Sequence, residues 1–124
     1  MCSISTNSIA DNQLSELEQS KDKTMIERRL FNFAKESDIK TPSILDSSQC
    51  HMRRMPEDLK NIRKIRIGRH RVYFTGYHTQ CSYNVFYIKT FKQSGKNDED
   101  DKRFQDILGS AINAPSFRTI KIKE

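Results

Sequence analysis

Residues 62–74, "IRKIRIGRHRVYF", alternate apolar and basic side chains around a glycine, and that period constrains the fold more than any other feature. A period of two sends successive side chains to opposite faces of a strand. Ile65 and Ile67 therefore point one way, and Lys64 and Arg66 the other. Gly68-Arg69 supplies a tight hairpin turn. Beyond it Val72 and Phe74 share one face, while Arg71 and Tyr73 share the opposite one. A further strand, "YNVFYIKTF" (83–91), assigns Phe86 and Ile88 to the core and leaves Tyr87 and Lys89 on the other side. Three strands this closely spaced predict an antiparallel meander.

Helical spacing flanks the strands. Residues 9–20 are expected to form a short helix with Ala10, Leu14 and Leu17 on one side. "TMIE", Thr24 to Glu27, matches a capping box, and a helix with Ile26, Leu30, Phe33 and Ala34 as its stripe follows. Together the two predict a helical hairpin. The polar stretch "KESDIKTPSILDSSQ" connects it to a turn at Pro56. Phe104, Ile107, Leu108, Ala111 and Ile112 form the stripe of a closing helix, whose start carries the acidic run Asp98 to Asp101. The expected fold class is α+β, with the helical hairpin and the C-terminal helix packed on one face of a small antiparallel sheet. Residues 1–8 are expected to be disordered or a weak strand, 9–113 a single domain, and 114–124 a tail.

With 124 residues and 35% hydrophobic content, the chain can bury one modest core, with poorly ordered ends expected around it. No apolar run approaches the roughly 18 residues of a membrane span. "MCSISTNSIADNQ" has neither the basic nor the apolar region of a secretory signal. Cys2, Cys50 and Cys81 are odd in number and widely separated, which fits a reducing cytoplasm rather than a disulfide framework or zinc site. Phosphate-cradling and zinc-protease motifs are absent. The acidic run lacks alternating ligand spacing, so helix capping accounts for it better than a metal, and no metal or cofactor is expected.

The formal net charge of +6 is unevenly spread. Residues 51–93 hold 10 basic and 2 acidic side chains, whereas residues 1–50 hold 6 and 8. A basic block inside a folded region points to a polyanionic partner, and nucleic acid is commoner than membrane. If helices cover the Ile65, Ile67, Val72, Phe74, Phe86 and Ile88 face, the open face carries Lys64, Arg66, Arg71, Tyr73, Tyr87 and Lys89. Phosphates would meet the cations, and bases could stack on the tyrosines. Such a face could also cleave RNA. The 2′-hydroxyl attacks the adjacent phosphorus, and preorganised Arg and Lys stabilise the charge that grows on the phosphoryl oxygens. A base and an acid are also needed; Tyr or Lys with lowered pKa can serve, and His70 and His78 are the orthodox candidates. Binding without catalysis is the plainer reading of the same charges.

The order of helical hairpin, "IRKIRIG", "HRVYF", "FYIKTFKQSGK" and closing helix resembles the RelE/ParE toxin superfamily, most of all its RelE- and HigB-like members. Arg66, Arg71, Val72, Tyr73, Phe74, Phe91, Lys92 and Gln93 match the family's strand motifs, within a resemblance that spans residues 9–113 and is specific over 59–96. The resemblance implies a type II toxin held inactive by a cognate antitoxin protein. It implies an endoribonuclease that cleaves mRNA in the ribosomal A site, inhibits translation and works through scattered Lys, Arg and Tyr in the cytoplasm. Lys64, Arg66, Arg71, Tyr73 and Lys89 are then the catalytic candidates, and Arg53, Arg54, Arg63, Arg69, Tyr87 and Lys92 the RNA-binding ones. The chain departs from the family at two points: HigB-like members often have His-Gly-Phe where it has Lys89-Thr90-Phe91, and for the family's usual first strand it offers only "CSIST", a weak candidate. The alternatives are a ParE-like gyrase inhibitor and a noncatalytic nucleic-acid-binding module or toxin relic.

Overall fold

Asn7 marks the first change of structure: its side-chain oxygen accepts from the Ala10 N–H at 2.9 Å and so caps a helix, while residues 3–7 before it are extended. The computed structural model describes residues 3–17, 21–40, 62–77, 82–90 and 102–120. In chain order these form β1 (Ser3–Asn7), α1 (Ser8–Glu16), α2 (Lys21–Lys40), β2 (Arg63–Ile67), β3 (His70–Tyr77), β4 (Ser82–Thr90), α3 (Lys102–Ala111) and β5 (Ser116–Thr119). The strands make one sheet in the order β2-β3-β4-β1-β5. The fold is mixed α+β, and the expected β2-β3-β4 meander is antiparallel throughout. Gly68 turns the β2-β3 hairpin at a φ of 59°, a conformation that L side chains rarely adopt.

At the ends of the chain the strand alternative holds for residues 3–7, and part of the expected tail is a strand as well. Residues 3–7 form a strand flanked on both sides, parallel to β4 and antiparallel to β5. Residues 116–119, expected to be part of a tail, are that β5. Ile4 and Ile120 are buried, and the Ile120 N–H donates to the Ile4 carbonyl at 2.8 Å, so apolar contact and ladder together hold both segments. The chain also opens on a strand, not on the helical hairpin. α2 begins at Lys21, three residues before the expected capping box, which leaves Thr24 inside the helix.

The helices do not share one face of the sheet. Ile26, Leu30, Phe33 and Ala34 of α2, with Ala10 and Leu14 of α1, pack on Ile65, Ile67, Val72, Phe74, Val85 and Ile88. Phe104, Leu108 and Ala111 of α3 pack on the opposite face, against Ile62, Tyr73 and Phe86. The strongly one-sided stripe of α3 needs an apolar surface, and the meander's second face offers one.

A β-bulge creates that surface. Tyr73 lies opposite Tyr87 and Phe74 opposite Val85, so Phe86 is the extra residue on β4. Strict alternation puts Phe86 beside Ile88. The bulge instead sends Phe86 to the α3 side while Tyr83, Val85 and Ile88 remain on the α2 side. β1 pairs only with Ser82–Val85 of β4. Past that point α1 lies beside the strand, and Gln13 Oε1 accepts from the Ile88 N–H at 2.7 Å, satisfying a group the ladder leaves over.

Candidate nucleic-acid interface

The hairpin register builds the basic face in two cross-strand rows. Arg66 lies opposite Arg71, and Arg71 opposite Lys89. One pair further along, Lys64 lies opposite Tyr73, and Tyr73 opposite Tyr87. All six residues expected on one face are brought together there. The first row sets three cations side by side, an arrangement that destabilises a ladder.

The second row is not open. α3 lies across it through Phe104, whose ring centroid is 5.4 Å from that of Tyr73 and 6.1 Å from that of Tyr87. Tyr73 is fully buried, so its ring packs on Phe104 where it was expected to meet a base. Tyr87 is half-buried and keeps contact with the surface. Lys89 Nζ sits 4.3 Å from the Phe104 centroid, a cation–π contact that fixes the ammonium above the junction of the two rows. Arg66 is exposed, while Lys64, Arg71 and Lys89 are half-buried. Phe104 was legible only as a core residue. Its second role depends on where α3 docks, and local spacing carries no signal for that.

The remaining candidates lie elsewhere. Arg63 has the parity of Ile65 and Ile67, and its Nη1 donates to the Ile62 carbonyl at 3.2 Å. Arg69 pairs with Asp22 at the start of α2, at 3.1 Å. Arg53, Arg54, Lys92 and His78 fall outside the described residues.

His70 belongs to the other side of the sheet. It is fully buried, with Nε2 2.9 Å from Asp22 Oδ2 and Nδ1 2.7 Å from the Thr90 hydroxyl. A carboxylate only accepts, so Nε2 carries the proton donated to Asp22. This ring fastens α2 to the sheet and has no route to the cationic rows. The hydrogen bonds from His70 and then Arg69 hold the Asp22 carboxyl below its ordinary pKa. A lowered folded-state pKa stabilises the fold above the unfolded value, and the contribution disappears as pH falls through the folded one. Thermal melts taken downward from neutral pH are expected to show the wild type losing stability below about pH 4, with Asp22→Asn lacking that part of the acid limb. Superimposable acid limbs would show that the contact does not hold α2.

Among the described residues no cluster of His, Cys, Asp or Glu could hold a metal ion, and no helix is long and apolar enough to cross a membrane. Chemically, the face offers fixed positive charge for phosphates, one accessible phenol and an adjoining apolar groove. That groove is lined by Ile9 of α1, Tyr87 of β4, and Asp106, Ile107, Ser110 and Ala111 of α3. Compared with models of known families, curated proteins and solved structures, the chain matches none.

Proposed function

We propose that this chain is the toxin of a type II toxin–antitoxin pair, an endoribonuclease that cleaves mRNA on the translating ribosome and is silenced by a cognate antitoxin in the cytoplasm. The observation that carries the reading is the row Arg66–Arg71–Lys89. Three opposed cations cost the sheet stability, and the phosphates of a polynucleotide offset that cost by binding across them.

In the proposed reaction a ribose 2′-oxygen attacks the adjacent phosphorus and the 5′-oxygen leaves, giving a 2′,3′-cyclic phosphate and a 5′-hydroxyl. Arg71 and Arg66 stabilise the phosphoryl oxygens of the transition state, and Arg71 brings a two-pronged donor. In this reading Lys89, held over Phe104, exchanges a proton with one of the two reacting oxygens. Burial of Tyr73 removes one acid–base candidate from contact, and this favours binding without cleavage as the second reading.

The test is induced expression in a bacterial host with mapping of new mRNA 5′ ends. In-frame cuts confined to translated messages are the expected outcome. Growth arrest with intact mRNA would replace this reading with gyrase inhibition. Neither arrest nor cuts would leave a basic binding module.

A further inference from the structure

The groove beside Tyr87 has a volume of 410 Å3, within the roughly 300–1,000 Å3 of small-ligand sites. Its floor and walls are Tyr87, Ile9, Ile107 and Ala111, an aromatic ring among aliphatic side chains that suits a flat heterocycle. Ile107 is 46% exposed there, although it belongs to the apolar stripe of α3. Two polar side chains line the same groove, Asp106 and Ser110, one helical turn apart and so on one side of α3. Among the described residues Asp106 pairs with Lys102 at 3.8 Å, an exposed ion pair too weak to fix its carboxylate.

A carboxylate beside a phosphate-binding surface repels the backbone, but its two oxygens accept from the donors of a base. Building on the RNA-cleaving reading above, we propose that this groove takes a guanine base of single-stranded RNA and confers sequence preference. Guanine alone presents two adjacent donors, N1–H and the N2 amine, to match the two oxygens of Asp106. Its O6, next along the edge, accepts from the Ser110 hydroxyl. Adenine and cytosine set an acceptor beside their single amine, and that acceptor would oppose the second carboxylate oxygen. Uracil flanks its one N–H with two carbonyls. The sugar-phosphate chain reaches the cations directly, because Lys89 follows Tyr87 by two residues on the same face, roughly 7 Å away.

The experiment is fluorescence anisotropy of the purified chain at low salt with labelled uridine hexamers carrying one central G, A, C or U. The guanosine hexamer is expected to bind about ten-fold tighter than the others, the discrimination of one good bidentate contact. Asp106→Ala is expected to bring it down to the level of the other three. Asp106 is 70% exposed, so its removal does not test folding. Ile107→Ser, also at the surface and uncharged, should weaken the guanosine hexamer selectively. Equal binding of all four by the wild type, or a preference that survives Asp106→Ala, overturns the guanine site and leaves the RNA-binding face standing. Binding of none overturns both. A guanosine preference in a chain that cuts no message would keep the groove and remove the nuclease.

Discussion

Arg71→Ala is expected to lower mRNA cleavage by about 10²–10³-fold, the usual cost of removing one preorganised donor from a developing oxyanion, and to abolish growth arrest with it. Arg71 is the central member of the cationic row, opposed by Arg66 on one side and Lys89 on the other. Among the described residues no other position meets both neighbouring strands with a positive charge. The fold should persist, because relief of like-charge opposition offsets the packing lost with the arginine stem. Arg71→Lys separates charge from geometry, since it keeps the cation and loses the planar fork. An intermediate cleavage rate is expected of it. Full cleavage by Arg71→Ala, read as new 5′ ends in cellular mRNA, would remove the cationic row from the mechanism.

Phe104→Ala is expected to have the largest effect on stability. The ring is 4% exposed and touches Tyr73, Tyr87 and Lys89 at once. Buried phenylalanines replaced by alanine typically cost about 3–5 kcal/mol, out of roughly 5–15 kcal/mol for a whole domain. A fall of roughly 10–20 °C in thermal midpoint follows. The substitution also opens the Lys64–Tyr73–Tyr87 row and removes the seat of Lys89. Phe104→Leu isolates the second effect, because it keeps most of the apolar volume and removes the aromatic face. It should melt only slightly earlier than the wild type yet cleave RNA more slowly. A Phe104→Ala variant that melts with the wild type would mean that α3 does not cover the sheet.

The hairpin was legible in the sequence because two facts coincided: strict alternation and a glycine able to take a positive φ. From them came the correct grouping of Lys64, Arg66, Arg71, Tyr73, Tyr87 and Lys89, all confirmed as sharing a face by the register. Their accessibility was not legible. Alternation says which side of a sheet a residue faces, and whether a helix then covers that side is decided by docking. Tyr73 is the clearest case, with its parity right and its ring buried. Phe86 shows a different limit, since one inserted residue reverses the parity of everything past it and leaves no local trace in composition. β5 escaped notice, and β1 was legible only as a weak strand, because segments of four or five residues gain their stability from neighbours about 80 and 110 residues away. His70 looked like an acid or base on its chemistry alone, and its partners Asp22 and Thr90 come from elements 48 and 20 residues distant.

The position of β1 carries a consequence for how the chain is made. Residues 3–7 leave the ribosome ahead of the other described elements, yet their partners on the two sides are residues 82–85 and 116–119. Until those have been synthesised, β1 has no ladder on either edge, and the surface that Ile4 buries stays wet. Closure of the sheet is therefore a late event in synthesis, set by sequence separation and not by the strength of the hairpin. A nascent chain holding the complete basic hairpin still lacks the strand that seals the sheet and the helix that seats Lys89. For a protein read as an enemy of translation, that delay separates the making of the parts from the moment they can act.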